Sequence, residues 1–200
     1  MKTGVLGGTF DPVHDGHLII ADAVKDKLSL DEIIFVPAGQ PWLKVDRPIS
    51  AARHRLQMLH LVLDDTPYFK LSTAEIERSG PSYTVDTIAE LRGRLDAEDE
   101  VFFILGWDNL SQLPQWREPS RLIEMCHLVA VHRPGAARPD LKVLENDIPG
   151  ITQRVTLLDE PSVDISASAI RERVAGKLSV RHLVTEAVNR YIKEHGLYAA

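Results

Sequence analysis

The 200-residue chain contains one cysteine, Cys126, and no apolar run long enough to cross a membrane. A single cysteine cannot form an intramolecular disulfide, which favours a reducing compartment. The longest apolar runs, residues 101–105 and 128–131, have the length of buried strands, so no transmembrane helix is expected. The first residues also lack the basic and then apolar pattern of a signal peptide, so we expect a cytoplasmic protein.

Positive charge is also scarce, with 23 Lys and Arg against 29 Asp and Glu and a formal net charge of −6. Proteins that bind nucleic-acid polymers are usually basic, so such a partner is not expected. Small anionic ligands remain candidates wherever a few cations converge. The apolar fraction of 44% predicts a globular core and one domain, residues 1–200, with a C-terminal helical portion from about residue 165. The sequence leaves open whether the chain forms a homo-oligomer.

Predicted strands and helices alternate along the chain. Strands are predicted to end at Gly7 and to span residues 32–36, 69–71, 100–105, 128–132 and 155–158. We expect Asp15 and Ser50 to cap the first two helices, and residues 84–95 to form another. Residues 133–150 contain three prolines and are expected to be irregular. The pattern predicts an α/β, Rossmann-like, doubly wound parallel sheet.

The most informative segment is Gly7-Gly8-Thr9-Phe10-Asp11-Pro12-Val13-His14-Asp15-Gly16-His17, which joins the first strand to the first helix. Paired glycines let a polyanion approach the backbone, and the N–H groups of a helix start favour negative charge. His14 and His17 would flank this anion site. Capping or core histidines and a metal pair are the alternatives, but no cysteine or further clustered ligand accompanies them, which argues against zinc.

The remaining chemistry-bearing segments also follow predicted strands. In an open α/β sheet, ligands bind beyond the carboxyl ends of the strands, so these segments should converge. Ile165-Ser166-Ala167-Ser168-Ala169-Ile170-Arg171 could supply hydroxyls, helix-start N–H groups and a guanidinium for phosphates, although such a segment is often only a helix cap. Gly106, Asp108 and Arg133 lie after two other strands.

The two signatures together resemble those of the His-x-Gly-His nucleotidyltransferase superfamily, most closely the bacterial nicotinate-nucleotide adenylyltransferases. The resemblance implies transfer of AMP from ATP to nicotinate mononucleotide, giving deamido-NAD and pyrophosphate. It assigns catalysis to His14, His17, Lys44 and Arg171. For ATP binding it implies the set Gly8, Thr9, Phe10, His14, His17, Gly106, Asp108, Arg133, Ile165, Ser166, Ser168 and Arg171. The family usually has Ser-Thr where this chain has Ala167-Ser168, so Ala167 should have no side-chain role.

Two further blocks resemble those of pyridine-nucleotide adenylyltransferases: Gly80 to Thr87, and Gly106 to Trp116. The resemblance implies pyridine-nucleotide binding by Gly7, Gln40, Lys44, Tyr83, Thr84 and Trp116. A tryptophan face suits stacking on a heteroaromatic ring, although core packing of Trp116 and capping by Thr84 are the ordinary alternatives. In the loop of residues 37–44, Lys44 matches the family pattern, whereas Leu43 replaces its usual histidine.

The resemblance also implies Mg²⁺ carried by ATP, since no obvious cluster of aspartates would hold a resident metal. Three alternatives stay open at this stage. The acceptor could be nicotinamide mononucleotide, which differs from nicotinate mononucleotide only by an amide in place of a carboxylate. It could be phosphopantetheine, or the chain could be a nucleotide sensor that binds ATP without turnover.

Overall fold

The computed structural model describes residues 1–41 and 49–199. Within them lies a six-stranded, all-parallel sheet flanked by helices, so the predicted Rossmann-like α/β class is confirmed. The strands are β1 Lys2–Gly8, β2 Glu32–Pro37, β3 Phe69–Leu71, β4 Glu100–Gly106, β5 His127–Val131 and β6 Val155–Leu158. The helices are α1 Asp15–Leu28, α2 Ala52–Leu63, α3 Ala74–Glu77, α4 Thr84–Arg92, α5 Trp107–Ser111, α6 Pro119–Met125, α7 Leu141–Asp147, α8 Ala167–Ala175 and α9 Glu186–Glu194.

The order of strands across the sheet is β3-β2-β1-β4-β5-β6, which places the topological switch between β1 and β4. The chain builds outward from β1 to β3 and then crosses to the other side of β1 to add β4, β5 and β6. Leu6 of β1 is in register with Ile104 of β4, and Gly8 with Pro37 of β2. The carboxyl ends of β1 and β4 therefore border the crevice where doubly wound sheets bind ligands.

Side chains of the central strands alternate between two hydrophobic layers, as the period of a strand requires. Leu6 and Ile104 belong to the layer that contains Val24 of α1 and Val188 of α9. Val5 and Phe103 belong to the opposite layer. Because both faces are buried, these strands are continuous apolar runs, and those runs identified them in the sequence. Among the described residues, no helix is long and apolar enough to cross a membrane.

Several predicted boundaries are wrong. The N-cap of α1 is His14, which has extended backbone angles, and Asp15 is the first helical residue. The N-cap of α2 is Ala51, one residue after Ser50, whose backbone N–H donates to Asp11 Oδ2 at 3.1 Å. Helix α4 ends at Arg92. The segment expected to be irregular contains α7, whose N-cap Asp140 accepts hydrogen bonds from two backbone N–H groups.

Candidate active site

The signature loop, residues 7–17, folds over the carboxyl end of β1. Phe10 has a φ of 48° and a buried side chain, which packs edge-on against His17 with ring centroids 4.8 Å apart. A Cβ atom at Gly8 would lie 3.0 Å from the Phe10 ring, so the second glycine allows this close packing. The loop is thereby held with its backbone facing the crevice, and Phe10 acts as its anchor in the core.

His14 and His17 stack at the start of α1, with ring centroids 3.6 Å apart. His17 Nδ1 accepts the backbone N–H of His14 at 3.2 Å, so the neutral His17 ring carries its proton on Nε2. Burial, with a smaller contribution from the charge of Arg133, lowers the pKa of His14 to about 4. His14 is therefore neutral at pH 7, and its buried Nδ1 has no hydrogen-bond partner in the part of the chain described.

The C-terminal signature lies beside this loop. Arg171 donates from Nη1 to the carbonyl of Asp11 and from Nη2 to Ser168 Oγ at 3.1 Å. Ser166 is the N-cap of α8, and its Oγ accepts the N–H of Ala169 at 3.2 Å, a bond that does not use the hydroxyl hydrogen. The guanidinium of Arg171 is thus fixed between the two signatures, close to the first N–H groups of α8.

Two adjoining clefts open at this end of the sheet. The first cleft has a volume of about 260 Å³ and the second about 280 Å³. Gly8, Thr9, His14, His17 and Arg133 line both, so the signature loop forms their common wall. The predicted residues that line one or both are Gly7, Gly8, Thr9, Phe10, His14, His17, Thr84, Gly106, Trp116, Arg133, Ile165, Ser166, Ser168 and Arg171.

The predicted residues Gln40, Tyr83 and Asp108 lie next to the clefts and are absent from their walls as described. Tyr83 is the N-cap of α4, and its ring lies 4.8 Å from the Arg117 guanidinium. Asp108 Oδ2 lies 3.5 Å from Arg133 Nη1, so this carboxylate orients a cation that does face both clefts. Lys44 and Leu43 fall outside the described residues.

The first cleft has an apolar and aromatic part in its wall. Trp116 and Thr84 line it, and the Trp116 ring packs edge-on against Phe103 with centroids 6.1 Å apart. The buried Nε1 of Trp116 has no hydrogen-bond partner within residues 1–41 and 49–199. A flat aromatic ligand with a polar substituent suits this part, whereas a polyanion suits the second cleft with its arginine and helix start.

The structure adds a residue that the sequence analysis missed, Arg55. Its side chain is 2% exposed and donates to three carbonyls from three segments: Ser50 O at 3.1 Å, Thr9 O at 2.9 Å and Ala38 O at 2.8 Å. It thereby ties the signature loop to the end of β2. An arginine on the same helical face as the buried Leu59 was the available signal, because an apolar stripe rarely contains an unpaired charge.

A second missed contact joins the C-terminus to the signature loop. The Tyr198 hydroxyl donates to Oδ1 of the buried Asp11 at 2.7 Å, and the other carboxylate oxygen accepts the Ser50 N–H. Asp11 thus has both oxygens occupied by structural partners. Its contacts hold the signature loop, and it also lines the second cleft.

The described residues include no group of three or more His, Cys, Asp or Glu side chains placed to hold a metal ion. The charged residues that line the clefts are the cations Arg133 and Arg171 and the acids Asp11 and Glu75. Both acids accept hydrogen bonds from groups of the protein.

Comparisons with known proteins identify the family of the chain. The cytidylyltransferase-like family model matches residues 5–173. A relative from Dehalococcoides mccartyi is 53% identical over 198 residues, covering 99% of this chain and 97% of the relative. One from Thermomicrobium roseum is 44% identical over 197 residues, covering 98% and 91%. Both are named "Probable nicotinate-nucleotide adenylyltransferase".

A solved structure shares the fold at low sequence identity. It is the Plasmodium falciparum nicotinic acid mononucleotide adenylyltransferase complexed with NaAD, with a TM-score of 0.80 and 20% identity. The match covers 98% of this chain and 97% of that one. The whole sheet and its surrounding helices therefore have a known counterpart.

Proposed function

This chain belongs to the cytidylyltransferase-like family and, within it, to the nicotinate-nucleotide adenylyltransferases, and from that premise we propose how its two clefts carry out the reaction. The reaction transfers AMP from ATP to nicotinate mononucleotide and yields deamido-NAD and pyrophosphate. The observation that carries the proposal is the shared wall of the clefts, because it puts a polyanion site and an aromatic site on either side of His14 and His17.

We assign the aromatic part of the first cleft to the pyridine ring and the second cleft to the triphosphate. Trp116 would contact the ring face, and Thr84 the ring substituent. Arg171, Ser168 and the helix start of α8 would bind the β- and γ-phosphates, with Arg133 near the junction. The cationic Arg171 is already oriented by its bonds to Asp11 and Ser168, so little ordering is needed when ATP binds.

In the transfer step, a phosphate oxygen of nicotinate mononucleotide attacks the α-phosphorus of ATP. The bond from that phosphorus to the oxygen bridging to the β-phosphate breaks, and pyrophosphate leaves with the electron pair. The attacking oxygen is already anionic near neutral pH, so no strong base is required, and positioning with charge neutralisation dominates. His17 would donate from Nε2 to a phosphate oxygen, and neutral His14 supports it through the ring stack.

We propose Mg²⁺ as the divalent ion, bound to ATP oxygens, which would neutralise charge on the departing pyrophosphate. The absence of a metal-ligating cluster among the described residues supports a nucleotide-held ion. Lys44 stays a predicted triphosphate contact, as its loop lies outside the described residues.

The test is pyrophosphate release from ATP and Mg²⁺ with three acceptors at matched concentrations: nicotinate mononucleotide, nicotinamide mononucleotide and phosphopantetheine. We expect strong preference for the first. Equal use of both pyridine nucleotides would keep the enzyme class and reject the specificity. Turnover of phosphopantetheine, or ATP binding with no pyrophosphate release from any acceptor, would reject the assignment of Thr84 and Trp116.

A further inference from the structure

Ser82 joins the two backbone segments that border the aromatic part of the first cleft. Its Oγ accepts the N–H of Gly39 at 3.0 Å and that of Gln40 at 3.1 Å, while its own N–H donates to Gln40 O at 2.9 Å. Three hydrogen bonds thus tie the segment after β2, residues 38–41, to the segment just before α4. Both segments contribute to the wall of the cleft, through Ala38, Pro41 and Thr84.

Glu75 of α3 packs against both of these segments. Thr87 Oγ1 donates to Glu75 Oε1 at 2.7 Å. Burial raises the pKa of Glu75, and the nearby Thr87 and Ser82 hydroxyls partly oppose that shift. All three side chains are buried, with Glu75 only 8% exposed. A buried carboxylate is costly unless hydrogen-bonded, so the two hydroxyls stabilise it.

The close approach of the two segments depends on Gly39. A Cβ atom there would lie 2.0 Å from the carbonyl oxygen of Glu75, so the backbone of residue 39 packs directly on α3. The separation between the two walls is therefore set by backbone contact together with the Ser82 bonds. A shift of the Ser82 hydroxyl would move residues 38–41 relative to Thr84.

The Ser82 hydroxyl uses both of its acceptor positions on the backbone N–H groups of Gly39 and Gln40. Ser82 and Glu75 also line the first cleft themselves. Ser82 therefore sets the geometry of the cleft wall through its bonds to the segment after β2.

We infer that Ser82 and Glu75 are positioning residues that set the width of the first cleft where the pyridine ring binds, and so control affinity for the pyridine nucleotide but not for ATP. The inference rests on the proposed function. The second cleft shares no wall with this cluster, because neither residue lines it. Loosening the contacts of Ser82 and Glu75 should therefore weaken the binding of nicotinate mononucleotide and leave the binding of ATP unchanged.

The experiment compares Ser82→Ala, Glu75→Gln and the control Ser79→Ala, an exposed serine in the same loop. KM for nicotinate mononucleotide, KM for ATP and kcat are measured for each, with folding checked by circular dichroism. Ser82→Ala should raise KM for nicotinate mononucleotide about tenfold, the effect of losing one buried hydrogen-bonding group, and leave KM for ATP within about twofold. Glu75→Gln keeps a carbonyl that can accept from Thr87, so its effect should be smaller.

A purely structural role would lower kcat through loss of active protein and leave both KM values unchanged, and that result would overturn the inference. So would an equal rise in both KM values. Should Ser82→Ala fail to fold, Glu75→Gln and Ser82→Cys provide the same KM comparison. Failure of the proposed function itself would show separately, as absence of turnover by the unmodified chain in the same assay.

Discussion

Replacing Arg55 by methionine should destabilise the protein and detach the signature loop from the end of β2. Methionine keeps much of the aliphatic length and removes all the donors. The carbonyl oxygens of Ser50, Thr9 and Ala38 would then lose their partner, and the last of these bonds is fully buried. Burial lowers the pKa of the Arg55 guanidinium, although the nearby Asp11 carboxylate partly opposes that shift.

The expected loss follows from these contacts. A hydrogen bond to a charged group contributes about 1.5–3 kcal/mol. The sum over the three bonds is therefore an upper limit on the loss in free energy of unfolding. Release of the desolvation cost of the guanidinium offsets part of it, so we take about 3 kcal/mol as the net loss in free energy of unfolding. For a domain of this size, about 2–4 °C of melting temperature corresponds to each kcal/mol, which gives a fall of about 6–12 °C.

Differential scanning calorimetry of Arg55→Met, Arg55→Lys and the control Arg53→Met measures this directly. Arg53 lies on the same helix but is exposed, so its substitution should leave the melting temperature within about 1 °C. The melting temperature of Arg55→Lys should lie between those of Arg55→Met and the control, because a single ammonium lacks the planar guanidinium that reaches several carbonyls. A melting temperature for Arg55→Met equal to that of the control would refute the bracing role of Arg55.

Three further predictions follow from the site. Tyr198→Phe leaves Asp11 Oδ1 without its partner and should lower the free energy of unfolding by about 1.5–3 kcal/mol in urea denaturation; an unchanged midpoint would count against this contact. Trp116→Ala should raise KM for nicotinate mononucleotide at least tenfold and spare KM for ATP, whereas Trp116→Phe should retain most of the affinity, and steady-state kinetics would separate these outcomes. Folding lowers the pKa of His14 from 6.5 to about 4, so the unfolded chain binds more protons than the folded one between these pH values. The free energy of unfolding should therefore fall as the pH drops from about 6.5 to 4. Urea titrations of His14→Asn should lack this pH-dependent part of the stability.

The sequence was sufficient for the sheet because strands such as β4 are buried on both faces and form continuous apolar runs. Most of the predicted site residues line the clefts, since residues that follow parallel strands must meet at one edge. Helix ends were less predictable. Ser50 is a residue type that often caps helices, yet the N-cap of α2 is Ala51. The Ser50 N–H bonds to Asp11, which is 39 residues away in the sequence, and local pattern does not contain that contact.

The residues that brace the site were not predictable for the same reason. Arg55 and Tyr198 act through partners far away in the sequence, and each of those partners is a backbone carbonyl or a carboxylate with no motif of its own. Local pattern therefore located many of the groups that line the clefts. The groups that hold them required the three-dimensional structure.

The most direct test of the proposed reaction is single-turnover formation of the dinucleotide from ATP and nicotinate mononucleotide by the unmodified chain and by His17→Ala. ATP affinity is measured alongside by calorimetry. We predict dinucleotide formation by the unmodified chain, and a loss of at least about 100-fold in rate for His17→Ala with ATP affinity within about threefold. Equal rates for the two proteins, or no dinucleotide from the unmodified chain, would contradict the account.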